Sequence, residues 1–540
     1  MAKTFDIVIA GAGHNGLTAA CYLAKAGWKP LLLERRELVG GVAVTESLDP
    51  GFRCPTLLHT TGPYLPGIAR DLGLDRHGLE ILRPQVRVFA PPADGPALLL
   101  YDDPARTAAG LAGISRRDAE AFPEFHRSLG RIGALLSRLL RMTPPSIERI
   151  RFPEIFHLIG LGRGFRGLPR RDAYRLLRWV PMAVADLVTE FFETELLRAT
   201  IAARGIRGML AGPWSAGTGA NLLLSAALDG HSAGPDGFVR GGPGALTQAL
   251  LSAASEAGVE IRTGTEVAQI AVRDGTAVGV VLASGEEVPA RIVVSNADPK
   301  RTFLDLVGPA QLDPDFLQKV RNYRCQGACA KVNLALSGLP RFSALPASAA
   351  RVEAETALSG RIQIGPDVDY LEHAFDAAKY GEPSPAPCLE ITIPSIADDS
   401  LAPRGQHVMS ILAQFAPYRV NGDGWKRRRD VFADAVIRTL SRYAPDLPGL
   451  ILHRQVLSPL DLEEVYGLTQ GHLFHGEPSL DQLFTMRPLL HLAQYRTPIR
   501  GLYLCGSGTH PGPGVTGAPG ANAAREIQRD LRGLGLRRLR

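Results

Sequence analysis

Three glycines near the start of the chain have the spacing of a phosphate-binding turn: Gly11-x-Gly13-x-x-Gly16, with His14 and Asn15 between the last two. The first glycine permits a tight turn, the second lets backbone approach a pyrophosphate, and the third lets a helix pack closely on a strand. The helix that follows offers unpaired amides and a positive end to phosphates. Glu34 lies 18 residues after Gly16, near the roughly 20 expected of an acid that accepts from a ribose 2′-hydroxyl. So far this spells only a dinucleotide. Next comes Arg35-Arg36-Glu37-Leu38-Val39-Gly40-Gly41-Val42. A plain nicotinamide domain would run straight into another helix, whereas this glycine pair suits close approach to a flavin's pyrophosphate and ring. The cofactor expected is FAD.

A second glycine-rich segment lies almost 500 positions away, at 501–521: GLYLCGSGTHPGPGVTGAPGA. Bare backbone there allows a flat ring to lie against it, and a following helix N-terminus favours the negative charge of a reduced flavin. His14, His59, His472, His475 and His510 are available polar groups, and His510, inside this loop, is the histidine expected nearest the ring. A decoy, Gly162-x-Gly164-x-x-Gly167, lacks a strand before it and an acid after it and reads as a basic loop. The six cysteines match no zinc spacing and include no Cys-x-x-Cys; Cys325 and Cys329 read as two small buried thiols, and a reducing compartment fits. No metal cluster and no Ser–His–Asp signature is seen.

The elements that must position these groups follow from the pattern. Phe5–Ala10 is a short apolar run, as a buried parallel strand requires. Leu17–Ala26 reads as a helix stopped by Gly27, and Lys29–Arg35 as a second strand. Residues 51–97 read as loop. Arg117–Leu140 and Arg170–Ala203 read as helices, interrupted by Pro144-Pro145 and the glycines from Gly160 to Gly167. From residue 236 a strand, a glycine turn and a helix (Ala245–Glu256) lead into a hairpin series at Val259–Ile261, Val267–Val272, Ala277–Leu282 and Ile292–Val294. Further on, Cys388–Ile393 and His407–Phe415 read as strands and Lys426–Tyr443 as a helix. Leu502–Cys505 is a last strand before a helix over about 518–532.

The 540 residues are 45% apolar and 21% charged, ordinary for a globular chain with a sizeable core. The net charge of +6 is uneven: residues 127–178 hold 12 Arg, no Lys and 3 acids. Apolar Leu135, Leu136, Leu139, Ile155, Phe156 and Ile159 run among those arginines, a pattern that fits contact with an anionic membrane surface as well as a solvated helix face. No recognition module accompanies the charge, so nucleic acid is not expected as a partner. No apolar stretch is long enough to span a bilayer and no signal peptide is read, which leads to the expectation of a cytoplasmic protein, soluble or peripheral to the membrane.

Taken together, AGAGHNGLTAACYLAKAG (10–27), LERRELVGGVAVTES (33–47), GGPGALTQAL (241–250), VVSNADPKRTFL (293–304), APYRV (416–420), SLDQLFTMRPL (479–489) and YRTPIRGLYLCGSGTHPGPGVTGAPGANAAR (495–525) resemble the phytoene-desaturase superfamily of flavoproteins. Within it the likeness is greatest to the branch of desaturase-type carotenoid ketolases and mitochondrial pyridine nucleotide-disulfide oxidoreductase domain proteins, and it runs nearly the whole length. The resemblance implies an α/β fold: a glutathione-reductase-type FAD-binding Rossmann domain (1–80, 235–305, 466–540) interleaved with an α+β substrate domain (81–234, 306–465). It implies FAD contacts at Gly11, Gly13, His14, Asn15, Gly16, Glu34, Arg35, Gly40, Gly41, Val42, Val267, Gly506, Ser507, Gly514, Val515 and Thr516, with the Val267 backbone at the adenine. It places Arg487-Pro488 on the substrate side. Many relatives have Arg where this chain has Val42, which weakens transfer of chemistry from the true phytoene desaturases.

A flavin accepts hydride with little help from side-chain acids or bases, so the catalytic residues stay unassigned, with His510 and Arg487 as candidates. The expected function is FAD-dependent oxidation of a hydrophobic, isoprenoid-like substrate by desaturation, ketolation or isomerisation. The alternatives are an amine oxidase-like enzyme and a low-turnover flavin-binding scaffold. The first of these usually carries an aromatic cage in its C-terminal flavin loop, and residues 506–521 contain no Phe, Tyr or Trp. One fingerprint and no redox cysteine pair argue against disulfide reduction and a stable NADPH site.

Overall fold

The structure, a computed structural model, describes residues 5–58, 64–146, 152–234, 237–346, 348, 350–422 and 424–533. Phe5–Ala10, buried at every position, pairs in parallel with Pro30–Leu33 on one side and Glu287–Ser295 on the other. Glu260–Arg262 and Leu502–Leu504 extend this parallel core at its two flanks. The hairpin Val267–Arg273 and Thr276–Leu282 adds antiparallel strands beyond Glu287–Ser295. The register places Ala10 opposite Leu33 and Ser295, and Ser295 opposite Leu504, so four strand C-termini share one edge. In open α/β sheets that edge is where ligands bind.

A second seven-stranded sheet runs Ile451–Leu457, Cys329–Leu336, His407–Gln414, Cys388–Thr392, Arg361–Ile364, Val86–Ala90 and Leu98–Tyr101. Its two faces differ in chemistry. Val332, Leu334, Ile362, Ile391, Met409 and Ile411 pack with Trp425, Phe432 and Val436 of the helix Trp425–Ser441 into an apolar core. The opposite face is buried yet polar, carrying Lys331, Asn333, Arg361, Gln363, Glu390, Thr392, Ser410 and Gln414. Strands of the first sheet come from residues 5–33, 260–295 and 502–504, and those of the second from 86–101 and 329–457, so the chain passes repeatedly between the two. The architecture is the α/β Rossmann-type fold interleaved with an α+β unit that the sequence implied.

Several local readings change. Residues 51–97 are not only loop: they hold Phe52–Pro55, the helix Pro66–Leu72 and Val86–Ala90. The glycines at 160–164 do not interrupt a helix, because Phe152–Arg166 is helical through them and the decoy fingerprint is not a loop. Instead, the stretch 170–203 breaks into Arg170–Trp179, Val184–Thr189 and Glu195–Ile206, the first break falling at Pro181, which has no amide to donate. No helix among the described residues is long and apolar enough to cross a membrane.

Candidate functional site

The shared edge of strand C-termini opens into a cleft of about 930 Å³. Its floor is the glycine turn. Gly11 leaves its strand at φ +100°, and its amide donates to the Leu33 carbonyl at 2.8 Å. A side chain at Gly16 would put its Cβ 2.2 Å from the Gly11 carbonyl oxygen, so only glycine lets the helix His14–Lys25 start this close to its strand. A Cβ on Gly41 would lie 3.2 Å from the Gly13 Cα; the two glycines meet face to face across a backbone bridge that Gly13 makes with Gly40. A Cβ on Gly13 would in turn meet the Asn296 side-chain nitrogen at 2.7 Å.

Glu34 sits at the end of its strand, 8% exposed. One carboxylate oxygen accepts the Ala12 amide at 2.9 Å and the other the Arg36 amide at 3.0 Å. The acid thus ties the glycine turn to the second strand. Each oxygen keeps a further lone pair, so acceptance from a ribose hydroxyl remains open to it. Val267 lines the cleft beside Thr265, whose amide donates to the Glu34 carbonyl at 2.7 Å. Arg35 reaches over the rim to the Glu464 and Val465 carbonyls, and Arg36 stacks over Tyr466 at 4.5 Å and pairs with Glu46. Arg301 lines the same mouth and pairs with Glu266 at 3.5 Å.

The far wall comes from the C-terminus. The Asn15 side-chain amide donates to the Ser507 hydroxyl at 3.1 Å, across 492 residues of chain. His14 is buried, and burial first, then the neighbouring His475, lowers its pKa to about 3, while its ring meets the Gly514 backbone. Both histidines are therefore neutral near pH 7; burial also lowers His475. Within the cleft, His14 Nε2, Asn15 Oδ1 and His475 Nδ1 are buried with no hydrogen-bond partner among the described residues. Buried polar atoms without partners are costly, and three around one cleft beside a glycine cradle fit a polar ligand with acceptors and donors along its length, as FAD has.

Ten of the residues expected at FAD line the cleft together: Gly11, Gly13, His14, Asn15, Glu34, Arg35, Gly41, Val42, Val267 and Ser507. Gly16 and Gly40 lie behind it in the turn, and Gly506 presses on the Asn296 carbonyl, where a Cβ would come within 2.7 Å. Gly514, Val515 and Thr516 stand outside the lining. Gly514 is held by His14, and the Thr516 carbonyl accepts from the Leu65 amide at 3.2 Å. Sequence reasoning missed Asn296, whose side chain fills the space between Gly11, Gly13 and Gly16. It also missed Arg301, Tyr466 and the placement of His475 on the wall. The signal for Asn296 was its position directly after a buried strand in SNADP.

The two catalytic candidates stand outside the cleft lining. His510 does not line the cleft: its Nε2 hydrogen-bonds the Leu139 carbonyl at 2.8 Å, and its own carbonyl accepts from Tyr495. Arg487 is fully buried and, among the described residues, donates only to main-chain carbonyls, those of Phe474, Gly476, Glu477, Gln482 and Ser507. It is a clamp on both sides of the wall, holding the segment that carries His475 against Ser507. His59 lies outside the described residues. The loop 506–521 does have aromatic neighbours from elsewhere: Tyr64 packs against Gly517, with its hydroxyl on Thr18, and Tyr495 bonds His510 and Asn522. Cys325 and Cys329 are both buried free thiols, apart from the cleft.

Comparison with known proteins adds to this geometry. Residues 16–527 match the family described as flavin containing amine oxidoreductase. The chain is 36% identical to the rat pyridine nucleotide-disulfide oxidoreductase domain-containing protein 2, over 98% of this chain and 94% of that protein. It is 28% identical to a limonene dehydrogenase component of Castellaniella defragrans, over 98% and 95% of the two chains. It is 25% identical to the phytoene desaturase of Fusarium fujikuroi, over 94% and 86%. Among solved structures, an oxidoreductase from Methanosarcina mazei superposes with a TM-score of 0.61 at 17% identity, over 97% of this chain and 99% of that one.

Proposed function

The chain belongs to the flavin-containing amine oxidoreductase family and is an FAD-dependent oxidoreductase; from that premise we propose that its substrate is a hydrophobic, isoprenoid-like molecule rather than an amine, and that the reaction is a desaturation. FAD, when bound, supplies a two-electron acceptor. The chain's own residues bind and orient it. Glu34 would accept from the ribose and the turn Gly11–Gly16 would cradle the diphosphate, with Gly41, Val42 and Ser507 lining the same cleft.

The observation that carries the substrate reading is what surrounds that loop. Leu140, Leu224 and Ala227, with Leu136, Leu228 and Leu483, form a separate apolar cluster. A Cβ on Gly514 would touch Leu228, and His510 hangs from Leu139 beside it. On the polar face of the second sheet the charges are the wrong sign for an ammonium. Lys331, Arg207 and Arg361 gather there, and Glu390 is already paired with both arginines. Relatives named limonene dehydrogenase and phytoene desaturase support the same class. The test is anaerobic mixing of the flavin-loaded protein with fractions of a native lipid extract and with a panel of amines. Bleaching of the flavin by an apolar fraction is expected; bleaching by amines alone would overturn the reading, and bleaching by neither would favour a low-turnover scaffold.

Membrane contact through 127–178 belongs to the same proposal, in a narrower form. Arg131, Arg171, Arg175 and Arg178 are paired with Asp172, Glu124 or Glu190. Arg138, Arg141, Arg163 and Arg166 have no acidic partner among the described residues, and Ile155, Phe156 and Ile159 are exposed on the helix Phe152–Arg166. This helix and the C-terminal end of Arg116–Leu140 are the surface proposed to rest on anionic lipid. Flotation with anionic but not neutral vesicles is expected, and an entirely soluble protein in both would contradict it.

A further inference from the structure

A second pocket, of about 850 Å³, lies behind the C-terminal glycine loop, away from the FAD cleft. One wall is a stripe of the helix Ala518–Gly533: Ala518, Ala521, Asn522, Arg525 and Gln528, spaced so that all face one way. Along it the chemistry changes from apolar to cationic and polar over about 15 Å, at about 1.5 Å per residue. The opposing wall, Leu65, Ile68 and Asp71, is graded in the same direction. The two walls are in register, because the Leu65 amide bonds the Thr516 carbonyl at the apolar end. At the other end the Tyr22 hydroxyl donates to Asp71 at 3.0 Å and its carbonyl accepts from Gln528 at 3.3 Å.

The pocket lining has an excess of positive charge. Arg525 stands toward the polar end, and Arg141, the residue ending the helix Arg116–Leu140, also lines the pocket. Among the described residues Arg525 donates only to the Asn522 side chain, at 3.1 Å, and Arg141 has no acidic partner. The one carboxylate of the lining, Asp71, is occupied by Tyr22. Two guanidiniums with unused donors in the lining of a partly apolar groove are suited to a carboxylate or phosphate head group carrying a hydrocarbon chain.

We propose that this pocket binds a single-chain anionic amphiphile, with its carboxylate or phosphate head on Arg525 and Arg141 and its chain along Ile68, Leu65 and the alanines of the C-terminal helix. The proposal stands on this pocket alone and does not depend on which substrate reacts at the flavin. A ligand seated here would lie against Leu65 and Ala518, and so would brace the contact in which the Leu65 amide holds the Thr516 carbonyl.

Calorimetric titration of the FAD-loaded protein tests it, with dodecyl phosphate below its micelle concentration, inorganic phosphate and dodecanol as probes. Saturable binding of dodecyl phosphate is expected, at least tenfold tighter than either other probe. Arg525→Gln is expected to weaken it about tenfold, and Arg141→Gln with Arg525→Gln further still. Ala521→Phe, which fills the groove, is expected to abolish the advantage over inorganic phosphate. Equal binding of inorganic phosphate would reduce the site to a simple anion site, and equal binding of dodecanol to a greasy surface. Either result, no saturable binding, or indifference to both arginines with melting temperatures unchanged would overturn the proposal.

Discussion

The Arg487 guanidinium donates to the Ser507 main-chain carbonyl twice, from Nη2 at 2.8 Å and from Nε at 3.2 Å. Nη2 also reaches the carbonyls of Phe474 and Gly476 on either side of His475, and Nη1 those of Glu477 and Gln482. A buried cation with only carbonyl partners is a positioning device, because removing it leaves several acceptors without donors at about 1–3 kcal/mol each. Arg487→Lys keeps the charge but not the fork. Both Arg487→Lys and Arg487→Met are expected to purify with substoichiometric flavin and to melt several degrees lower. A variant with normal FAD content and melting temperature would show that the clamp is dispensable.

Gly13 and Asn296 separate folding from ligand fit. A Cβ at Gly13 would lie 2.7 Å from the Asn296 side-chain nitrogen and 3.9 Å from Gly41, at a φ of −66° that alanine tolerates. Gly13→Ala is expected to lower both stability and FAD affinity. Adding Asn296→Ala removes the clash inside the protein, so the melting temperature should recover while FAD binding stays at least tenfold weak. Recovery of both would mean that Gly13 serves packing alone.

Glu34 is expected to act through both oxygens. Glu34→Gln replaces one acceptor by an NH₂ that opposes the amide of Ala12 or Arg36. FAD affinity should fall about 10- to 100-fold with unchanged circular dichroism, and the affinity for ADP, which carries the same ribose, should fall in parallel. Unchanged ADP affinity in the variant would remove Glu34 from the ribose.

Stability should depend on pH through buried groups held neutral. Burial lowers His14 and His472 to about 3 and His510 to about 4. The unfolded chain therefore binds more protons than the folded one as pH falls from about 6.5 toward 4, and stability should fall over that window. Burial lowers Lys331, whose Nζ donates to Ser410 at 2.6 Å, to about 7. Between about 7 and 10.5 the unfolded chain again holds the extra proton, so this lysine makes stability rise with pH, and below 7 its full penalty is present. Melting temperatures of wild type minus Lys331→Met should climb from pH 7 to pH 10. A flat difference would place Lys331 in contact with solvent.

How much of this the sequence could reveal follows from the kind of signal each residue carries. Gly11, Gly16 and Glu34 are legible because one turn fixes their spacing locally. Ser507 was legible only by resemblance, since Asn15 reaches it across the whole chain. The strand Cys329–Leu336 was hidden because all eight of its residues are buried, which erases the alternation that marks a half-exposed strand. The helix Phe152–Arg166 was hidden by its glycines, whose low helix propensity did not decide the local structure. His510 and Arg487 were read by nearness in sequence to the flavin loop, whereas tertiary hydrogen bonds to Leu139 and Ser507 set what they do.

The most direct test of the cleft is titration of flavin-free protein with FAD, FMN and NADPH, followed by fluorescence quenching and calorimetry. The structure places an acid for a ribose at one end and a glycine-lined passage to the C-terminal loop at the other, so one FAD per chain should bind at least a hundredfold tighter than FMN, which lacks the adenosine end, or than NADPH. Equal affinity for FMN, or NADPH binding as tight as FAD, would contradict the assignment of Glu34 and the glycine turn to an FAD site.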